Sequence, residues 1–295
     1  MLFIDWQPAL EIFSIGNFAV RWYSFFWCIG LALAFIIVQK LYKQQQIDSE
    51  KFEPLFLYCF FGVLIGARLG HCIFYEPEAY LTSFKGIVEM LLPIRFDASG
   101  EWHFAGYSGL ASHGGTIGLF LSLMLYVRKT KLKVFQVLDN IAIATPMTAC
   151  CIRLGNLMNS EIIGNPTDMP WGFYFHTPDA FYFHTPDAFV DGMLVPRHPA
   201  QLYEAIAYFI IFIIGVCVYR KHGLKKSDQS YMSVGTGFYF GFCLAAIFLF
   251  RFFVEFLKKE QVDFEQGMVL NMGQLLSIPF ILVGIYFMFR KAKRA

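Results

Sequence analysis

A chain of 295 residues that is 57% hydrophobic and 19% aromatic, with only 16% charged residues, is more apolar and less charged than ordinary soluble domains. So few charges cannot cover that much apolar surface in water, which excludes a soluble globule and makes the bilayer the expected solvent. The formal net charge of +2 offers no basis for a nucleic-acid partner; the expected partners are membrane lipids and whatever reaches them.

Apolar stretches of roughly 20 residues, long enough to cross about 30 Å of hydrocarbon, occur at 18–38, 54–75, 109–127, 134–152, 200–219, 234–257 and 272–289. They are too long and continuous for alternating barrel strands, so helices must satisfy the backbone in lipid. The expected fold class is an all-α polytopic membrane protein with about seven transmembrane helices. No linker or low-complexity region divides the chain, which reads as a single domain over 1–295. Two outer-face loops are long, at about 76–108 and 156–199.

Trp6, Trp22 and Trp27 near the first span fit an interfacial aromatic belt. Without a basic leader or a small-x-small cleavage pattern, that span is expected to stay in the mature protein. Basic residues follow the odd-numbered spans: Lys40, Lys43 and Lys51; Arg128, Lys129, Lys131 and Lys133; Arg220, Lys221, Lys225 and Lys226; Arg290, Lys291, Lys293 and Arg294. In a seven-span arrangement all four clusters fall on one side. The positive-inside rule then puts the N-terminus outside and the C-terminus in the cytoplasm.

The cysteines at 28, 59, 72, 150, 151, 217 and 243 all lie within apolar runs, where they read as small packing residues and not as a disulfide framework or zinc site. No cofactor or metal is expected. The octapeptide at 173–180 is repeated at 181–188. It reads as a tandem slip in a tolerant loop or an artefact of the sequence record, and its copied histidines, His176 and His184, are poor metal ligands.

The informative residues are ionisable groups within apolar runs. An arginine at a helix centre costs about 2.5–3.5 kcal/mol, so Arg68, Arg153 and Arg251 together cost about 7–10 kcal/mol, comparable with the net stability of a domain. Each must be partnered or line a wet cavity. Arg251 and Glu255 are spaced to pair on a helix, and a passive ion pair is one reading. Arg153, Asn156 and Ser160 share a face if the helix continues, with Glu161 adjacent. Gly155 and Gly164 suggest an irregular segment lining a cavity, able to offer guanidinium and amide donors to an anion. His113-Gly114-Gly115 reads either as a closely packed helix entry or as a functional histidine. Arg197-His198-Pro199 through Glu204 reads, alone, as a polar helix entry.

Taken in order, these pieces resemble the prolipoprotein diacylglyceryl transferase family. The resemblance is carried by Trp22-Tyr23, by Gly66 through Gly70 around Arg68, by His113-Gly114-Gly115, and by Arg153-Leu154-Gly155-Asn156 through Asn159, Glu161 and Gly164. It continues through Arg197-His198-Pro199 to Glu204, Arg251 to Glu255, and Asn271 to Pro279. It departs at His71 and Ile247, where the family carries tyrosine. The resemblance implies attack by the lipobox cysteine of a preprolipoprotein on a glycerol carbon of phosphatidylglycerol, with a thioether formed and glycerol phosphate released. It implies catalytic roles for His113, Arg251 and Glu255, and phospholipid-binding roles for Arg153, Asn156, Glu161, Gly164, Tyr23 and Arg68. A thiol of pKa about 8.5 must lose its proton; His113 is the first candidate base, with Glu255 or Glu161 as alternatives. Arg153 and Arg251 could clamp the leaving phosphate in bidentate fashion, with Asn156 adding a hydrogen bond.

Overall fold

The computed structural model describes residues 3–15, 18–97, 99–106, 109–176, 189–190, 193–226, 230–258 and 269–290. The second copy of the octapeptide with His184, the end of the first copy, and the cluster Lys291, Lys293 and Arg294 lie outside the described residues.

In chain order the structure runs β1 (Ile4–Trp6), β2 (Glu11–Ile15), β3 (Phe18–Arg21), α1 (Trp22–Gln44), α2 (Ser49–Phe74), α3 (Pro77–Leu81), α4 (Phe84–Leu91), β4 (Ile94–Phe96), β5 (Trp102–Phe104) and α5 (Ser112–Thr130). It continues with α6 (Val134–Met158), β6 (Phe173–Phe175), β7 (Phe189–Val190), β8 (Met193–Leu194), α7 (Ala200–Val218), α8 (Phe238–Val254) and α9 (Met272–Phe289). The protein is mostly helical, as expected. Its short strands pair two by two outside the long helices: β1 parallel with β6, and β2–β3, β4–β5 and β7–β8 antiparallel.

Six helices are long and apolar enough to cross a membrane: α1, α2, α6, α7 with the turn that extends it to Gly223, α8 with its extension to Leu257, and α9. The third expected span is helical as α5, but it falls outside this set. Its 19 residues include Ser112, His113, Thr116, Ser122, Arg128 and Lys129 besides three glycines, and that polarity distinguishes it from the others. Several boundaries also shift. The first span starts at Trp22 because Phe18–Arg21 is a strand. The sixth starts at Phe238 because Gly235 and Gly237, at φ +93° and +89°, turn the chain in a way that an L side chain resists.

The chain divides into two compact units, residues 1–45 with 135–295, and residues 46–134. In the first, α6 fastens the start of α8 through Asp139. Its fully buried carboxylate accepts backbone N–H groups of Gly235 at 2.8 Å, Gly237 at 3.0 Å and Phe240 at 2.9 Å. A carboxylate at the positive end of a helix dipole satisfies donors that the helix itself cannot. Arg290 adds a second fastening, donating from Nε to the Thr236 carbonyl at 3.4 Å, with its guanidinium 3.9 Å from the Phe135 ring centroid. Replacing Asp139 by alanine strands three backbone donors and is expected to cost about 3–5 kcal/mol. Asp139→Asn, which keeps one acceptor oxygen, should lose less. Thermal unfolding in detergent checks the order; an alanine variant as stable as the parent would refute it.

The second unit is built on α2 against α5. The seam is lined by Gly62, Gly66 and Gly70 on one helix and Gly114 and Gly118 on the other. The backbones approach so closely that a Cβ on Gly118 would lie 2.0 Å from the Gly62 carbonyl oxygen. Small residues repeated every four positions are how helices reach such contact in lipid. All seven thiols of the chain are free.

Candidate active site

The polar centre of the first unit starts on α6. The helix runs on past the end of the apolar stretch to Met158, which puts Arg153 and Asn156 on one face, one turn apart. There the helix stops: Ser160 and Ile162 take φ +55° and +57°. Ser160 therefore does not continue the face of Arg153, as a longer helix would have had it. It is buried in the turn that swings Glu161 back under the helix end.

The side chains link in series. Arg153 Nη1 donates to Asn156 Oδ1 at 3.3 Å, and Asn156 Nδ2 donates to Glu161 Oε2 at 3.2 Å. Asn159 Nδ2 donates to the other Glu161 oxygen, and the Gln201 side-chain amide donates to the Glu161 carbonyl. On its Nε edge Arg153 ion-pairs with Glu204 Oε2 at 3.1 Å. Glu204, from the first turns of α7, is wholly buried, while the Arg153 side chain keeps 18% exposure. The second Glu204 oxygen accepts from Tyr208 at 3.2 Å and from Lys258 Nζ at 3.4 Å, and Lys258 reaches Glu255 Oε2 at 3.2 Å. A buried carboxylate with one counterion removed costs about 3–5 kcal/mol, so Glu204 and Glu255 are tolerable only because Arg153 and Lys258 are in reach.

The frame around this network is tight. A Cβ on Gly164 would lie 2.6 Å from the His198 Cβ, 2.7 Å from the His198 carbonyl oxygen and 2.8 Å from that of Leu257. Glycine is needed there for close approach of three chain segments. The Gly164 N–H donates to the His198 carbonyl at 2.9 Å, the Asn165 N–H donates to that of Leu257 at 2.7 Å, and Gly164 bridges to Lys258. Arg197 Nη1 donates to the Gly164 carbonyl at 3.3 Å. Tyr23, on the first turn of α1, backs Gly155, where an added Cβ would stand 3.1 Å from its ring. His198 Nδ1 lies 3.1 Å from the Tyr203 hydroxyl, which accepts from Trp171 Nε1 at 2.9 Å. Burial pushes the His198 imidazole below the usual histidine range.

Of the residues expected to act together, Arg153, Asn156 and Glu161 form this network, Glu255 joins through Lys258 and Glu204, and Gly164 and Tyr23 pack against its frame. Arg251 makes no ion pair to Glu255 despite the spacing: α8 ends at Val254, and Glu255 begins a tighter turn and binds Lys258 instead. Arg68 and His113 belong to the other unit. Arg68 is buried, with Nη2 donating to the Glu89 carbonyl at 2.8 Å, Nε donating to that of Met90 at 3.4 Å, and its guanidinium 4.8 Å from the Tyr80 ring centroid. Those carbonyls end α4, where a cation is favoured. His113 stands exposed on the first turn of α5.

A diacylglyceryl transferase family model, described as prolipoprotein diacylglyceryl transferase, matches residues 10–290. The chain belongs to that family. Curated relatives agree over full length. A Bacteroides fragilis protein named phosphatidylglycerol–prolipoprotein diacylglyceryl transferase is 54% identical, covering 100% of this chain and 97% of its own. Proteins of the same name from Tolumonas auensis, at 39% identity, and Porphyromonas gingivalis, at 37%, each cover 99% of this chain and 98% and 95% of their own.

Within this member of the family, sequence reasoning did not assign Lys258 or Gln201 to the site, and it placed Glu204 in the resembling motif and at a helix entry without giving it a role. A signal for Lys258 was available: it follows Glu255 by three positions at the end of an apolar run, where a lysine needs a partner. Nothing local announced that Glu204 would meet it.

Proposed function

We propose that this chain moves a diacylglyceryl group from phosphatidylglycerol to the lipobox cysteine of a preprolipoprotein, the first step of bacterial lipoprotein maturation. The observation that carries the reading is Arg153, a partly exposed guanidinium within a candidate span, held on one edge by buried Glu204 and on the other by Asn156. A fixed fork of this kind suits a phosphate on a lipid that arrives sideways through the bilayer.

The chemistry is a displacement. The cysteine sulfur, having given its proton to a base, forms a bond to the glycerol carbon. The carbon–oxygen bond to phosphate breaks, and glycerol phosphate leaves with the electron pair. Arg153 and Arg251 stabilise that growing charge, with Asn156 orienting Arg153. Glu161 orients Asn156, and Gly164 and Tyr23 support the site around the headgroup. Arg68 has a phospholipid-binding role. His113 is the first candidate base, and its exposure fits a group that must meet a thiol; Glu255 is the alternative, tied as it is to Lys258. Both units form one membrane enzyme, with α5 as a seventh span that α2 shelters along the glycine seam. Seven spans put the basic ends of α1, α5, α7 and α9 on the cytoplasmic side and the N-terminus outside.

The test incubates purified protein with phosphatidylglycerol and a lipobox peptide, in parallel with a Cys→Ser peptide. Cysteine-dependent gain of a diacylglyceryl mass, with matching glycerol phosphate release, is the expected result. Lipid binding without either product, under conditions where a Bacteroides relative works, would move the assignment to a lipid-binding or transport protein.

A further inference from the structure

Arg251 and Glu255 are one helical turn apart, the spacing that closes an ion pair on a regular helix. Here the Glu255 carboxylate is bound elsewhere. Its Oε2 lies 3.2 Å from Lys258 Nζ, and Lys258 is 4% exposed with its other contact, Glu204 Oε1, at 3.4 Å. A buried ammonium is held firmly by two carboxylates because leaving it unpaired is costly. The opposite side of Glu255 meets the start of α9: a Cβ on Gly273 would lie 2.6 Å from both Cδ and Oε1 of Glu255. That glycine makes a berth for the carboxylate at the positive end of an 18-residue helix. Among the described residues Arg251 forms no ion pair, and its buried Nε finds no hydrogen-bond partner.

We propose that Lys258 is a positioning residue that holds Glu255 away from Arg251, so that the Arg251 guanidinium is kept for the phosphate of an anionic phospholipid. The inference rests on the transferase reading of the same site and adds a residue to it. Without Lys258, two cations stand four residues from Glu255 along the chain, Arg251 and Lys259, and Arg251 is the one among the described residues, one helical turn back. The carboxylate closes on the guanidinium and competes with phosphate for it.

The measurement is phosphatidylglycerol binding to the full-length protein in nanodiscs of zwitterionic lipid. Lys258→Met is expected to weaken binding at least about tenfold, the loss of one charge-assisted phosphate contact. Lys258→Arg, which can still hold Glu255, should stay within about threefold of the parent. The decisive variant is the double change Lys258→Met with Glu255→Gln. It removes the competitor, so binding should return to within about threefold of the parent. A counterion that merely supported the fold would regain folded yield in the double variant as well, so affinity is read per folded protein, where such a role leaves Lys258→Met at the parental value. Unchanged binding by Lys258→Met, or a double variant as weak as Lys258→Met, overturns the proposal. Where Lys258→Met alone does not yield folded protein, the double variant decides: near-parental binding supports the proposal and a tenfold loss overturns it. Parent protein that binds phosphatidylglycerol but transfers nothing sinks the transferase reading and leaves this one standing; parent protein that does not bind it sinks this one.

Discussion

Arg153→Ala is expected to reduce diacylglyceryl transfer by about 10³-fold or more, to background, while the protein stays folded in the membrane. Removing one preorganised donor to a developing anion costs about 10²–10³ in rate, and Arg153 contributes a two-edged fork that a smaller donor does not replace. Survival of the fold follows from the rest of the network. Glu204 loses its 3.1 Å partner but keeps Tyr208 at 3.2 Å and Lys258 at 3.4 Å. A companion variant separates two meanings of a dead Arg153→Ala. Pairing it with Glu204→Gln removes the surplus buried charge. If folded yield recovers and transfer does not, Arg153 acts on the substrate. If transfer recovers, Arg153 is only a counterion for Glu204, and the phosphate-clamp reading fails.

Gly118→Ala is expected to produce the largest loss of stability of any single methyl added to the second unit, about 3 kcal/mol. The new Cβ would stand 2.0 Å from the Gly62 carbonyl oxygen and 2.8 Å from the Gly66 Cα. Both obstacles are backbone, so no side chain can rotate out of the way and α2 and α5 must separate. Separation loosens dispersion contacts along the whole seam, the main force between helices in lipid. Gly115→Ala is the internal control. Its nearest neighbour, the Ala67 Cβ, would be 3.4 Å away, and alanine is a better helix former than glycine by about 1 kcal/mol. That variant should unfold no earlier than the parent. Thermal unfolding of the two in detergent gives the answer, and equal midpoints would refute the account of the seam.

The two residues also show what the sequence made legible. Spans were readable wherever apolar residues ran without interruption, which covers α1, α2, α6, α7, α8 and α9. The helix α5 is a different case, because its glycines serve the approach to α2 and carry no hydrophobic signal of their own. Arg153, Asn156 and Glu161 were legible as a group because they are neighbours in sequence and the ordered motif marks them. The ion pairs beyond them were not. Glu204 and Lys258 are 54 residues apart, and no periodicity reports a contact at that separation. Local spacing was misleading for Arg251 and Glu255, since it assumes a regular helix and α8 gives way to a tighter turn at Glu255.

The same long-range pairing has a consequence for how the protein is made. Synthesis delivers Arg153 to the membrane first, Glu204 next and Lys258 last, with α7 and α8 emerging in between. Glu204 therefore enters with one counterion and waits for its second until α8 is complete. Glu255 likewise has no stable berth until Gly273 arrives at the head of α9. A chain halted before Lys258 holds Glu204 with one counterion and Glu255 without its own, and one halted before Gly273 lacks the helix start that seats Glu255. The ionic cluster thus makes passage of the chain beyond α8 a condition for its own charge balance, and a copy cut short before Lys258 carries the mark of its incompleteness in the place where the lipid would bind.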